Sequence, residues 1–166
     1  MKNGLNTLKK REYKMKKTLF TLASALMIFA LAACGSKADT EPDFDKTEKA
    51  LLTEIDYTDE LNAIDEDLVS ILYTDLDLSD VTKYKVYVSS GATSEELALF
   101  LCKDLDAAKR VMSAAQVRVN DQMESYKSYM PDEAKRLENM RIIRRGKLVC
   151  LTVSSYPDKA SEIFNR

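Results

Sequence analysis

The sequence predicts an α+β fold: an antiparallel sheet of about four strands packed against one long helix, with further helices near both ends. Three observations carry that expectation. From Asp104 to Tyr129 there is no Gly or Pro, and apolar residues recur every three or four positions. Val81–Ser89 and Glu95–Lys103 alternate instead with period two, on either side of a Gly-containing turn. A second pair of apolar runs, Met140–Arg144 and Leu148–Val153, flanks Arg145-Gly146-Lys147.

In order along the chain, the first helix begins after Asp43, a natural N-cap, with Phe44, Leu51 and Ile55 near one face. A second helix is expected over Asp59–Tyr73. Its stripe is Leu61, Ile64, Leu68, Ile71 and Leu72, and Thr58 is the expected cap. The following Asp75, Asp77 and Asp80 alternate as in a calcium loop. However, the sixth position of such a loop is not Gly here and the twelfth is Val86, not Glu, so the stretch reads as a polar connection.

In the first predicted strand Tyr84, Val86 and Val88 point one way and Lys83, Lys85 and Tyr87 the other. In the second, Leu97, Leu99 and Leu101 oppose Ala98, Phe100 and Cys102. Asp104 caps the long helix, whose expected stripe is Leu105, Ala108, Met112, Ala115, Val119, Met123 and Tyr126. A short helix over Asp132–Asn139 leads into the second hairpin. Pro157-Asp158 opens a last helix in which Ala160, Ile163 and Phe164 pack back.

Upstream of this domain the chain has a different character. Lys14, Lys16 and Lys17 precede an apolar run, Leu19–Ala30, which ends in Leu31-Ala32-Ala33-Cys34. Basic start, apolar middle and small residues before a cysteine are the order of an export signal, and the run is shorter than the roughly 20 apolar residues of a spanning helix. The expected organisation is a lipoprotein signal peptide over residues 1–33, a lipidated Cys34 opening a polar tether over 34–42, and one domain over 43–166. Met15 resembles a more usual start than Met1. The expected location is the extracytoplasmic face of the cell membrane, held by two or more acyl chains, since one chain alone holds only marginally.

Charge is unevenly placed. Residues 34–80 hold 3 basic and 15 acidic side chains, whereas residues 81–166 hold 15 and 11. An acidic balance beyond the signal argues against a nucleic-acid partner, which calls for a basic domain. The chain has no His and only four Gly. These absences exclude Ser-His-Asp and Cys-His catalysis, His-ligated metals and a Gly-rich phosphate loop. Neither an enzyme activity nor a cofactor is expected, and no metal site.

Three sets of residues remain. Cys102 and Cys150 are candidates for a disulfide, the ordinary alternative being two buried thiols. Arg141, Arg144, Arg145 and Lys147 cluster at one hairpin and are candidates for an anion or an acidic partner; the ordinary role of such charges is to blunt a sheet edge. Glu95, Glu96, Asp104 and Asp106 lie close in sequence, but adjacent acids on a strand point to opposite faces, which argues against a hydrolytic pair. Arg118, mid-helix, has no i,i+4 acid, and its candidate partner is an unplaced carboxylate at a sheet edge.

The stretch Val86–Phe100, with Arg118, Gln122, Tyr126, Tyr129, Pro131, Glu133, Glu138-Asn139 and the Gly146 hairpin, resembles a group of bacterial lipoproteins common in clostridial-type bacteria, the domain-of-unknown-function family 4358. The resemblance implies a lipid-anchored exported protein and transfers no catalytic residue. The expected function is a non-catalytic binding or interaction module whose partner is a protein or envelope component. The alternatives are a small solute- or ion-binding lipoprotein and, behind it, a carboxylate-dependent hydrolase.

Overall fold

Asp43 Oδ1 accepts the Lys46 N–H at 2.9 Å and starts the first helix, α1 (Phe44–Glu54), whose Phe44, Thr47 and Leu51 turn inward. The computed structural model describes residues 41–166; the expected signal segment, Cys34 and the expected tether up to residue 40 lie outside the described residues. After α1 come β1 (Asn62–Ala63), α2 (Glu66–Leu72), a 3-10 turn (Leu78–Asp80), β2 (Val81–Val88) and β3 (Glu96–Cys102). The rest of the chain forms α3 (Leu105–Tyr126), α4 (Pro131–Leu137), β4 (Arg141–Arg145), β5 (Leu148–Val153) and α5 (Pro157–Phe164).

The strands make one antiparallel sheet in the order β1-β2-β3-β5-β4, so it has five strands where the sequence suggested about four. β3 and β5 are central and covered on both faces. On one face Ala98, Phe100, Cys102, Val149 and Leu151 pack with α3 and α4. On the other Leu97, Leu99, Leu148 and Cys150 pack with Phe44 and Leu51 of α1 and with Ala160, Ile163 and Phe164 of α5. Each fully buried Leu of this kind contributes about 1.5–3 kcal/mol.

Two sequence expectations are corrected. The helix expected over Asp59–Tyr73 starts only at Glu66, capped by Asp65, which accepts the Leu68 N–H at 2.9 Å. The earlier half is extended and adds β1 beside β2, with Ile64 N–H donating to the Val86 carbonyl. On α3 the face against the sheet is Ala107, Ala108, Val111, Ala114, Ala115 and Val119. Leu105 stays 54% exposed, and the methionines at 112 and 123 lie on the flanks. Small residues occupy the centre because they let the helix axis approach the sheet closely, and the bulkier chains fill the widening gap beside it.

Candidate functional site

At the head of β3 two adjacent carboxylates are buried, Glu95 at 1% and Glu96 at 0% exposure. A buried charge is tolerated only when paired and hydrogen-bonded. Glu96 points toward α3. Its Oε2 receives Arg118 Nη2 at 2.8 Å, Arg118 Nε at 3.2 Å and Gln122 Nε2 at 3.1 Å, and its Oε1 receives the Tyr73 hydroxyl. The Arg118 guanidinium lies 5.9 Å from the centre of the Tyr73 ring. Burial, with the Glu96 charge beside it, pushes the Tyr73 phenol well above its ordinary range, so it stays a donor to that carboxylate.

Glu95 serves a different set of partners. It accepts the backbone N–H groups of Thr58 and Asp59 at 2.8 and 3.0 Å, and Arg136 Nη1 at 3.1 Å. Arg136 is a hub. Its Nε meets Glu133 at 3.0 Å and its Nη1 meets the Ser155 hydroxyl at 2.5 Å. Glu133 in turn accepts the backbone N–H and hydroxyl of Ser94 at 2.7 and 2.9 Å. Burial alone would raise the Glu133 carboxyl, but the Ser94 N–H and the Arg136 guanidinium hold it below its ordinary value. The Tyr126 hydroxyl closes the network by donating to the Thr93 carbonyl at 3.0 Å.

The network therefore ties six segments together: the chain after α1, the end of α2, the turn before β3, the middle of α3, α4, and the chain after β5. Both carboxylates are neutralised from within. Their chemistry is that of an interior brace that fixes the Ser89–Glu95 turn. Gln122 Oε1 is the one buried polar atom of this cluster with no partner among the described residues.

The remaining candidates are dispersed. Cys102 and Cys150 are both free and buried, and they lie on opposite faces of the sheet, Cys102 toward α3 and Cys150 toward α1 and α5. The candidate disulfide is corrected: a bridge needs side chains that converge, and the intervening sheet separates these two. Burial pushes the Cys102 thiol up to about 11 and the Cys150 thiol higher still.

Asp75, Asp77 and Asp80 do not converge on a cation. Asp77 caps the 3-10 turn through the Ser79 N–H, and Asp80 is held by Arg110 Nε at 2.6 Å and Lys103 at 2.8 Å. Among the described residues no group of three or more His, Cys, Asp or Glu is placed to hold a metal ion. Of the other two acids in the sequence set, Asp104 caps α3 through the Ala107 N–H at 2.7 Å, and Asp106 pairs with Lys109 on the surface.

The basic hairpin splits by strand parity. Arg141 and Arg145 lean toward α5, Arg141 meeting Asp158 at 3.3 Å and Arg145 the Phe164 carbonyl at 3.1 Å. Arg144 donates to the Gly146 carbonyl at 2.7 Å. Lys147 contributes its backbone N–H to Glu41 at 2.8 Å.

The residues that gather in the buried network (Ser94, Glu95, Glu96, Arg118, Gln122, Tyr126 and Glu133) lie within the segment matched by a family model described as a domain of unknown function, DUF4358, over residues 53–154. The chain belongs to the DUF4358 family. The DUF4358 match runs from the last turn of α1 to the residue after β5, so it takes in the whole sheet, α3 and α4, and leaves α5 outside. No curated protein and no solved structure matches this DUF4358 chain. The sequence suggested for Arg118 a carboxylate at a sheet edge; its partner, Glu96, lies instead on the interior strand β3. Sequence reasoning did not reach Tyr73 or Arg136 at all, because their partners lie 23 and 41 residues away.

Proposed function

We propose that this DUF4358 chain is an exported, lipid-anchored and non-catalytic binding module, held to the extracytoplasmic face of the membrane through Cys34. The observation that carries the non-catalytic part is the full internal pairing of Glu95 and Glu96. The carboxylates best buried for acid–base work are already engaged by Arg136 and Arg118. The anchoring part rests on the order of Lys14, Lys16 and Lys17, the apolar run and Leu31-Ala32-Ala33-Cys34. Among the described residues no helix is long and apolar enough to cross a membrane.

Extraction from native membranes in mild detergent, followed by mass spectrometry of the chain and its companions, tests the anchor and the binding role. Lipid on Cys34 and a stoichiometric, salt-resistant partner are expected. The Cys34→Ala variant should accumulate as an unprocessed precursor; a normal-size, lipid-labelled product from it overturns the anchor. A clean monomer that melts higher with a small solute or ion would move the assignment to a solute-binding lipoprotein.

A further inference from the structure

Among the described residues the sheet ends on one side in β1, only two residues long, and on the other in β4, five residues long with no further strand beside it. The turn between β4 and β5 has two residues, Gly146 and Lys147, and only Gly146 has positive φ, at +56°, as in a type II′ hairpin. A two-residue turn makes Arg145/Leu148 a hydrogen-bonded pair, and alternation then makes Ile143/Cys150 and Arg141/Thr152 bonded pairs too. The Cys102 N–H bond to the Lys147 carbonyl at 3.0 Å on the other side of β5 agrees with that phase. The N–H and C=O groups of Ile142 and Arg144 consequently point outward, away from the sheet.

Beside this edge an open groove of about 480 Å³ runs between β4 and α3, lined by Met112, Ser113, Gln116, Met140, Arg141 and Ile142. Three of the five β4 residues are Arg. Arg144 spends its charge on a neutral carbonyl, and the Asp158 partner of Arg141 is itself 92% exposed.

We propose that the free edge of β4 is a docking site for an extended acidic peptide segment of another protein, which adds a sixth strand to the sheet. The proposal deepens the binding-module reading and rests on it. The outward groups of Ile142 and Arg144 supply main-chain hydrogen bonds, and the groove takes the apolar side chain opposite Ile142. Charge selects the occupant. A second copy paired antiparallel about Ile143 sets Arg141 against Arg145 of the other chain, a like-charge contact that disfavours self-pairing. The antiparallel complement of Arg141-Ile142-Ile143-Arg144-Arg145 is instead acid, acid, apolar, apolar, acid.

The test uses the full chain in mild detergent and a labelled, end-capped Glu-Glu-Val-Val-Glu peptide, with binding read by fluorescence anisotropy. Saturable binding is expected, weakened at least about tenfold when the peptide is N-methylated at its second and fourth residues, since the two bonds that the peptide donates to the Ile142 and Arg144 carbonyls are then lost. Ile142→Pro should weaken it similarly, because that N–H serves no ladder bond within the sheet. The N-methylated peptide keeps the test independent of how well that variant folds. Equal binding of a Lys-Lys-Val-Val-Lys peptide, indifference to N-methylation, or a concentration-dependent dimer lost in Ile142→Pro would each overturn the proposal. A native partner that co-extracts equally with wild type and Ile142→Pro keeps the module and overturns the edge. Peptide binding without any native partner keeps the edge and overturns the module.

Discussion

Arg118 Nη2 lies 2.8 Å from Glu96 Oε2 and joins the middle of α3 to the first residue of β3. The Arg118 side chain is only 12% exposed and the Glu96 side chain is fully buried, so the carboxylate has no water as an alternative partner and the guanidinium has little. Breaking such a pair leaves an uncompensated charge in the interior. Arg118→Met is expected to cost about 3–5 kcal/mol in urea unfolding. Glu96→Gln should also destabilise, and the double variant should cost less than the two singles added together, by at least about 1 kcal/mol. Additive losses would show that the two side chains do not act as a pair.

Acid should weaken the domain through Asp80 and Glu133. Arg110 and Lys103 hold the Asp80 carboxyl below its ordinary value of 3.8, and Ser94 and Arg136 hold Glu133 below 4.5 against the opposing pull of burial. A carboxyl whose folded value is depressed adds stability above its unfolded value and loses it as pH falls through the folded one. Melting temperature should therefore decline as pH drops below about 4. Asp80→Asn should lower it at neutral pH and flatten that decline. Parallel wild-type and variant curves would remove Asp80 from the account.

The two domain thiols should be inert while the chain is folded. Both are buried, and burial disfavours the thiolate that reacts. Alkylation followed by peptide mass mapping should leave Cys102 and Cys150 unmodified in buffer and modify both in denaturant. A non-reducing digest that yields the Cys102 and Cys150 peptides joined would contradict their placement on opposite faces.

Gly146 should not tolerate a side chain. Its φ of +56° belongs to the left-handed region, and an added Cβ would stand 3.1 Å from both Cβ and Oε2 of Glu41. Gly146→Ala is expected to cost about 1–2 kcal/mol from backbone strain and to loosen the Glu41 bond to the Lys147 N–H. Thermal unfolding beside Glu41→Ala separates the two contributions. A variant as stable as wild type would mean that the turn has re-formed with another geometry.

Much of the fold is legible locally. Asp43 and Asp104 cap helices where their positions before periodic runs predicted, because a cap needs only its own neighbours. The alternation of Leu97, Leu99 and Leu101 with Ala98, Phe100 and Cys102 assigns the two faces of β3, because period two is a property of one strand. The Gly146 hairpin and the inward Ala160, Ile163 and Phe164 of α5 follow from equally short-range signals.

Other features depend on contacts between distant segments. The apolar spacing from Leu61 to Leu72 fits a helix, yet the Glu95 carboxylate takes the Thr58 and Asp59 N–H groups and β2 takes Ile64, so the first half of that stretch is extended. Parity within a strand is readable, but the relative parity of Cys102 and Cys150 depends on the β3–β5 register, which pairs Leu99 with Cys150 and sends the thiols apart. The sequence by itself determined the α+β class, the caps at Asp43 and Asp104, the strand faces and the basic hairpin. The tertiary structure alone decided the partners of Glu95 and Glu96, the break before α2 and the free edge of β4, because each depends on which segments the sheet brings together across long stretches of chain.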